Sequence, residues 1–231
     1  MKKNLFVALC LLGSTPAFAG LPEAPVAVVP APADAPCTLT LQYGIMHTDY
    51  TELPYDQLRA VPNVLYGLSI GAQWQVAQTG NFTHHVGASV GYYTGTQQNR
   101  FYNDGPLITV DTDVEVFPLL LTYNVEYKLN DKLTIYGGVR GGAIVRDTKL
   151  TANELHIENS DTSITPMLGL GVGARTFITE KLSFDIGYDF SLSFGEDCDF
   201  SNDYPHDYRA GCGSEGMRYY GTIKAGFSYS F

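Results

Sequence analysis

The chain has 231 residues, a formal net charge of −10, 45% apolar residues and only 16% charged residues. An acidic balance of this size disfavours nucleic acid as a partner, because a phosphate backbone calls for a basic face. A mean hydropathy of −0.05, with no run of 18 or more apolar residues after the first few positions, argues against membrane-spanning helices.

Met1-Lys2-Lys3-Asn4 begins a short basic region, Leu5 to Leu12 is an apolar run, and Thr15-Pro16-Ala17-Phe18-Ala19 offers small residues at signal-peptidase spacing. Residues 1–19 therefore read as a secretory signal cut after Ala19. Cys10 follows a bulky Leu9 with few apolar residues upstream, which speaks against a lipoprotein site. Loss of Lys2 and Lys3, with no acidic residue, would take the formal charge from −10 to −12. Residues 20–37 form an arm rich in Pro and Ala, which favours an extended polyproline-like conformation.

Residues 38–231 break into eight segments that alternate apolar and polar, the period of a half-buried strand. Leu39, Leu41, Tyr43 and Ile45 open the series near 38–47. Near 64–76, Tyr66, Leu68, Ile70, Ala72, Trp74 and Val76 oppose Gly67, Ser69, Gly71, Gln73 and Gln75. Val86, Ala88, Val90 and Tyr92 follow near 82–93. Near 114–128, Leu119, Leu121, Tyr123, Val125 and Tyr127 oppose Leu120, Thr122, Asn124 and Glu126. The fifth segment runs about 133–145 and the sixth about 164–178. The seventh, near 182–194, sets Leu182, Phe184, Ile186, Tyr188, Phe190, Leu192 and Phe194 against Ser183, Asp185, Gly187, Asp189, Ser191 and Ser193. The eighth ends the chain, with Gly221, Ile223, Ala225, Phe227, Tyr229 and Phe231 on one side.

Short turns at Gln78–Asn81, Leu129–Lys132 and Thr179–Lys181 alternate with long polar connections near 48–63, 94–113, 147–163 and 195–217. A soluble sandwich has no reason to sort loop length by side, whereas a transmembrane barrel does. The expected fold is thus all-β, an eight-stranded antiparallel up-and-down transmembrane β-barrel spanning residues 38–231. Its apolar face would meet outer-membrane lipid and its polar face would line a narrow centre.

Phe117 to Tyr127, the turn, and Leu133 to Gly142 resemble the central hairpin of the small OmpA/OmpX-type outer-membrane barrels. The final strand, with Phe227, Tyr229 and Phe231, resembles the C-terminal insertion signal read by the barrel-assembly machinery. The resemblance implies location in the bacterial outer membrane. Some barrels of this size act on lipid A through a His two residues before a Ser. None of His47, His84, His85, His156 or His206 stands so.

The inward face also collects Glu126, Arg140, Arg175, Asp185, Asp189 and Lys224. An eight-stranded barrel is filled by its own side chains, so buried charges there must pair. Counting from the turn at Thr179–Glu180 sets Arg175 opposite Asp185, and Lys224 at the height of Asp189. An interior network that plugs the lumen is expected. Cys198 and Cys212 share the last long loop and are expected to form a disulfide in an oxidising compartment, leaving Cys37 free or bonded to another chain. His84 and His85 are expected at the periplasmic interface.

No metal spacing, nucleotide cradle or catalytic motif appears, so no cofactor is expected; the acidic stretch after Gly195 lacks ordered calcium-ligand spacing. The functional expectation is a non-enzymatic envelope protein. Its loops, bearing Tyr50, Tyr55, Phe101, Tyr102, Phe200, Tyr204 and Tyr208, would offer contacts for an extracellular ligand. A small-solute pore and a lipid A-modifying enzyme are the alternatives.

Overall fold

The structure, a computed structural model, describes residues 29–30, 37–48, 62–102, 107–152, 156–194 and 217–231. Eight long strands run β1 Cys37–Thr48, β2 Val64–Thr79, β3 Phe82–Tyr102, β4 Leu107–Asn130, β5 Leu133–Ala152, β6 Ile157–Phe177, β7 Leu182–Phe194 and β8 Met217–Ser230. Each pairs antiparallel with the next, and β8 pairs with β1 to close the ring. A two-residue segment, Val29–Pro30, adds to β2 at Gln78 and Ala77.

Register fixes the shape. Stepping across the ring from Thr38 meets Gln73, Gly87, Thr122, Arg140, Gly169, Ser191 and Tyr220, then returns to β1 at Thr48, ten residues further on. With about 3.4 Å per residue and 4.8 Å between strands, that climb gives a strand tilt of about 41° and a backbone radius of about 8 Å. Such a cylinder has room for side chains and little else.

The outward side chains are those the alternation assigns. Leu41, Leu68, Ile70, Leu121, Val139, Leu168, Leu170, Val172, Ile186 and Ile223 are all exposed. A continuous apolar surface on every side has no place in water and suits lipid. On β4 the apolar run extends from Phe117 to Tyr127, with Glu115 immediately above it. Ten residue rises at this tilt span about 25 Å, the height of a barrel's lipid band. Aromatic pairs sit at both margins: Phe82 against Tyr127 at 4.9 Å below and Tyr92 against Phe117 at 5.0 Å above.

The short turns are locally encoded. Gly80 adopts φ +58, open to a glycine without strain. The Asn130 side chain accepts the Lys132 N–H at 2.9 Å, and Thr179 Oγ1 accepts the Leu182 N–H at 3.0 Å. The β3–β4 ladder skips Gly91 and Tyr92, opposite Pro118, which has no N–H to donate.

Two of the long connections expected from the sequence are in fact strand. The stretches near 94–113 and 147–163 pair continuously apart from 103–106 and 153–156, so β3 to β6 rise past the lipid band as a four-stranded sheet. Above the band the outer face turns polar, with Thr96, Gln98, Arg100, Asp111, Asp113 and Asp147, which removes the apolar-out signature. The inner face there is mixed: Arg146, Thr112 and Thr148 are buried, and beyond them Ile108, Val110 and Ala152 pack together. The other two long connections lie at 49–61 and 195–216, outside the described residues.

Candidate functional site

The lumen holds the chemistry. Its turn-end half carries Arg175, whose Nε donates to Asp185 Oδ1 at 2.6 Å and whose Nη1 donates to Glu126 Oε1 at 2.7 Å. Ser228 Oγ donates to the second Asp185 oxygen. The Tyr136 ring lies beneath the same guanidinium, 5.9 Å from its carbon to the ring centroid. About five residue rises higher, Arg140 Nε donates to Asp189 Oδ1 at 2.7 Å and Nη1 to Asn124 Oδ1 at 3.0 Å. Lys224 Nζ lies 2.5 Å from Asp189 Oδ2.

The structure therefore brings together all six inward charges named from the sequence. Arg175 and Asp185 face each other across adjacent strands, and Lys224 reaches Asp189 from two residues beyond its paired position, Thr222. The lower tier has one cation against two anions and the upper tier two cations against one anion, so the six balance. Glu126 was visible as an inward charge, but its bridge to Arg175 spans from β4 to β6 and depends on the tight curvature.

Inward glycines create the space for these long side chains. A Cβ on Gly171 would collide with the Arg140 guanidinium and the Asp189 carboxylate, and one on Gly173 with the Tyr136 ring. What remains is a cavity of about 40 Å³ lined by polar groups, including Gln42, Ser89, Thr122 and Lys224. It has room for on the order of three waters.

A third layer closes the loop-end side. Spreading the ten-residue climb over eight strands puts Met46, Leu65, Tyr93, Val116, Ile144, Met167 and Tyr220, from seven different strands, within about two residue rises of one height. All seven point inward, are buried and belong to one apolar cluster. Buried Ser193 of β7 supplies the eighth position. The Tyr93 ring leans over Gly44 of β1, where a Cβ would stand only 3.0 Å from it. Sequence reasoning missed this layer; the signal was an apolar residue such as Met46, Leu65, Ile144 or Met167 interrupting an otherwise polar face.

Several other expectations resolve differently. His84 faces outward and shares a 2.8 Å hydrogen bond with the Tyr123 hydroxyl. His85, expected at the interface beside it, points into the lumen instead, with Nε2 3.8 Å from Glu126 Oε2, because adjacent strand residues face opposite sides. Phe227, Tyr229 and Phe231 lie on the lipid face, and the Phe231 N–H donates to the Cys37 carbonyl at 3.0 Å. Cys37 forms no disulfide among the described residues, while Cys198 and Cys212 lie outside them, as do Tyr50, Tyr55, His206 and the aromatic residues of the last loop.

Outside the lipid band the shifted groups are ordinary surface pairs. The Lys128 ammonium, hydrogen-bonded at 2.8 Å, holds the Asp131 carboxyl below the usual range. Glu158, hydrogen-bonded to Lys149 at 2.6 Å, raises the lysine. Among the described residues, no group of three or more His, Cys, Asp or Glu side chains is arranged to hold a metal.

Comparison with solved structures gives barrels of the same size at low identity. Ail, the attachment invasion locus protein of Yersinia pestis, crystallised with the heparin analogue sucrose octasulfate, is 13% identical with a TM-score of 0.49, covering 85% of this chain and 99% of that one. Neisserial surface protein A is 10% identical with a TM-score of 0.47, covering 84% and 97%. The N-terminal barrel domain of Pseudomonas aeruginosa OprF is 12% identical with a TM-score of 0.38, covering 83% and 97%. No curated protein matches the sequence. The family model for the outer membrane protein beta-barrel domain matches residues 5–231, and with a closed ring, a lipid-facing surface and a filled polar centre, the chain belongs to that family of the bacterial outer membrane.

Proposed function

We propose that this protein is a non-enzymatic envelope barrel, closed through its centre, that works by presenting its loop-end surface to partners outside the cell. The observation that carries this reading is the contrast between the two parts of the molecule. Its lumen is filled by charge-balanced side chains and an apolar layer, whereas β3 to β6 continue roughly 20 Å beyond the lipid band as a paired sheet. Nothing in a closed barrel requires such a rise. Short turns face the periplasm in barrels of this architecture, which sets the sheet on the outer surface.

The sheet's outer face is ordered by its own side chains. Thr96 donates to Asp113 at 2.7 Å, Gln98 to Asp111 at 2.8 Å and Thr162 to Asp147 at 3.3 Å. A stiff platform of this kind limits the entropy lost on docking a ligand. A Cys198–Cys212 disulfide would add a staple to the last loop, and Phe227, Tyr229 and Phe231 would be read by the assembly machinery before any of this is displayed.

The test is adherence of cells expressing either the whole chain or a version with β3 to β6 shortened to the lipid margin, both checked for heat-modifiable migration. Adherence should fall with the shortened form while the folded amount stays level. Equal adherence would refute the display role, and altered lipid A acylation on expression would favour the enzyme alternative.

A further inference from the structure

The lumen contains two different kinds of filling, and they do not have the same consequence for permeation. Below, the ion-paired tiers surround a polar cavity of about 40 Å³, lined by groups such as Thr40, Gln42, Gln73 and Asn124. Water is at home there, because each molecule finds several hydrogen-bonding partners. Above, Met46, Leu65, Tyr93, Val116, Ile144 and Met167 meet in one buried cluster. This layer spans about 5 Å of height across a cylinder of about 8 Å backbone radius. It lies level with the upper aromatic margin, since Tyr66, Tyr92 and Phe117 occupy the same rises on the outside.

We infer that the apolar layer, and not the salt-bridge network, is the permeability barrier of this barrel. This rests on the reading that the barrel is closed. Paired charges in a wetted pocket can exchange partners with water, so loosening one pair widens a space that water already occupies. An apolar constriction excludes water altogether, and ions do not cross a dry segment. The layer is also redundant. Seven strands contribute to it, so no single rotamer change clears it, whereas one carboxylate, Asp189, is the anion shared by Arg140 and Lys224. The ion tiers then serve another end, keeping the buried charges compensated and holding the strands at their radius.

The experiment measures ion current in planar bilayers for four forms of the full-length protein. These are wild type, Leu65→Ala/Tyr93→Ala, Val116→Thr/Met167→Gln, and Arg140→Gln/Asp189→Asn. The second apolar-layer variant keeps side-chain volume while wetting the layer, so the question survives if the alanine variant fails to fold; heat-modifiability selects the folded material. Wild type and the charge-neutral pair should remain closed, and the folded apolar-layer variants should pass current on the order of tenfold or more above wild type. Current through Arg140→Gln/Asp189→Asn with closed apolar-layer variants would overturn the assignment of the barrier. Closed behaviour of every folded variant would overturn it too. A conducting wild type would instead refute the closed-barrel reading itself, a distinguishable failure.

Discussion

Replacing Arg175 with methionine removes the guanidinium held at 2.6 Å from Asp185 and 2.7 Å from Glu126. All three side chains are more than nine-tenths buried. The variant leaves two carboxylates facing each other's field with the Ser228 hydroxyl as the compensation that remains for Asp185. Removing one partner of a buried ion pair costs about 3–5 kcal/mol. Two stranded anions would push the cost up, while the neighbouring cavity of about 40 Å³ admits water and brings it down. The expectation is therefore about 3–4 kcal/mol, a large share of the roughly 5–15 kcal/mol that ordinary domains possess. The neutral triple variant Arg175→Met/Glu126→Gln/Asp185→Asn leaves no charge behind and should recover to within about 1–2 kcal/mol of wild type. Urea unfolding in phospholipid vesicles measures both. Trp74, the single tryptophan, faces lipid and reports the loss of that environment. A single-variant loss below about 1 kcal/mol would mean that the carboxylates are already hydrated, contrary to their burial. A triple variant as unstable as the single one would assign the effect to packing instead of charge.

Leu121 points outward near mid-height of the apolar band, so Leu121→Arg should cost about 2–4 kcal/mol in the same unfolding assay. Asp113→Arg, above the band, should cost no more than about 1 kcal/mol, the worth of its exposed hydrogen bond from Thr96; equal effects would argue against a lipid boundary between them. Gly171→Ala drives a methyl into the Arg140 guanidinium and Asp189 carboxylate and should destabilise by about 1–3 kcal/mol, with Gly137→Ala, whose methyl would make only ordinary contacts at 3.8 and 3.9 Å, as the harmless control. Phe231→Ala, which keeps the amide bonded to Cys37, should lower the heat-modifiable fraction in outer membranes without changing the unfolding midpoint of material refolded in detergent, since the side chain's proposed role is in recognition; equal loss in both would make it a stability residue. Peptide mapping without reductant should join Cys198 to Cys212, and a bridge from Cys37 to either of them would refute the pairing.

The alternation along Leu182–Phe194 was legible because strand side chains switch faces at every residue and one face here must suit lipid. The cross-strand positions of Arg175 and Asp185 could likewise be counted from a tight turn, where register has little freedom. Distance from a turn erodes that advantage. The apolar layer draws on Met46, Leu65, Tyr93 and Ile144, residues far apart in sequence that reach one height only through the summed register of the whole ring. Along each strand they look like isolated exceptions to a polar face. The tall strands escaped for a different reason. Above the lipid the outside becomes Thr96, Gln98, Asp111 and Asp113, and polar residues in that density read as loop, although Ile108 and Val110 keep the period on the other side.

The seam between β1 and β8 has a consequence for how the molecule is made. The Phe231 amide is bonded to the Cys37 carbonyl, and eleven residue pairs run along that joint. Until Met217–Ser230 arrives, every partly formed sheet has two raw margins whose peptide groups can be satisfied neither by hydrocarbon nor by the missing neighbour. Insertion strand by strand during synthesis is thereby disfavoured. Of the eight strands β8 is made last, and it is the one that zips the wall shut, so commitment to the bilayer has to wait for it.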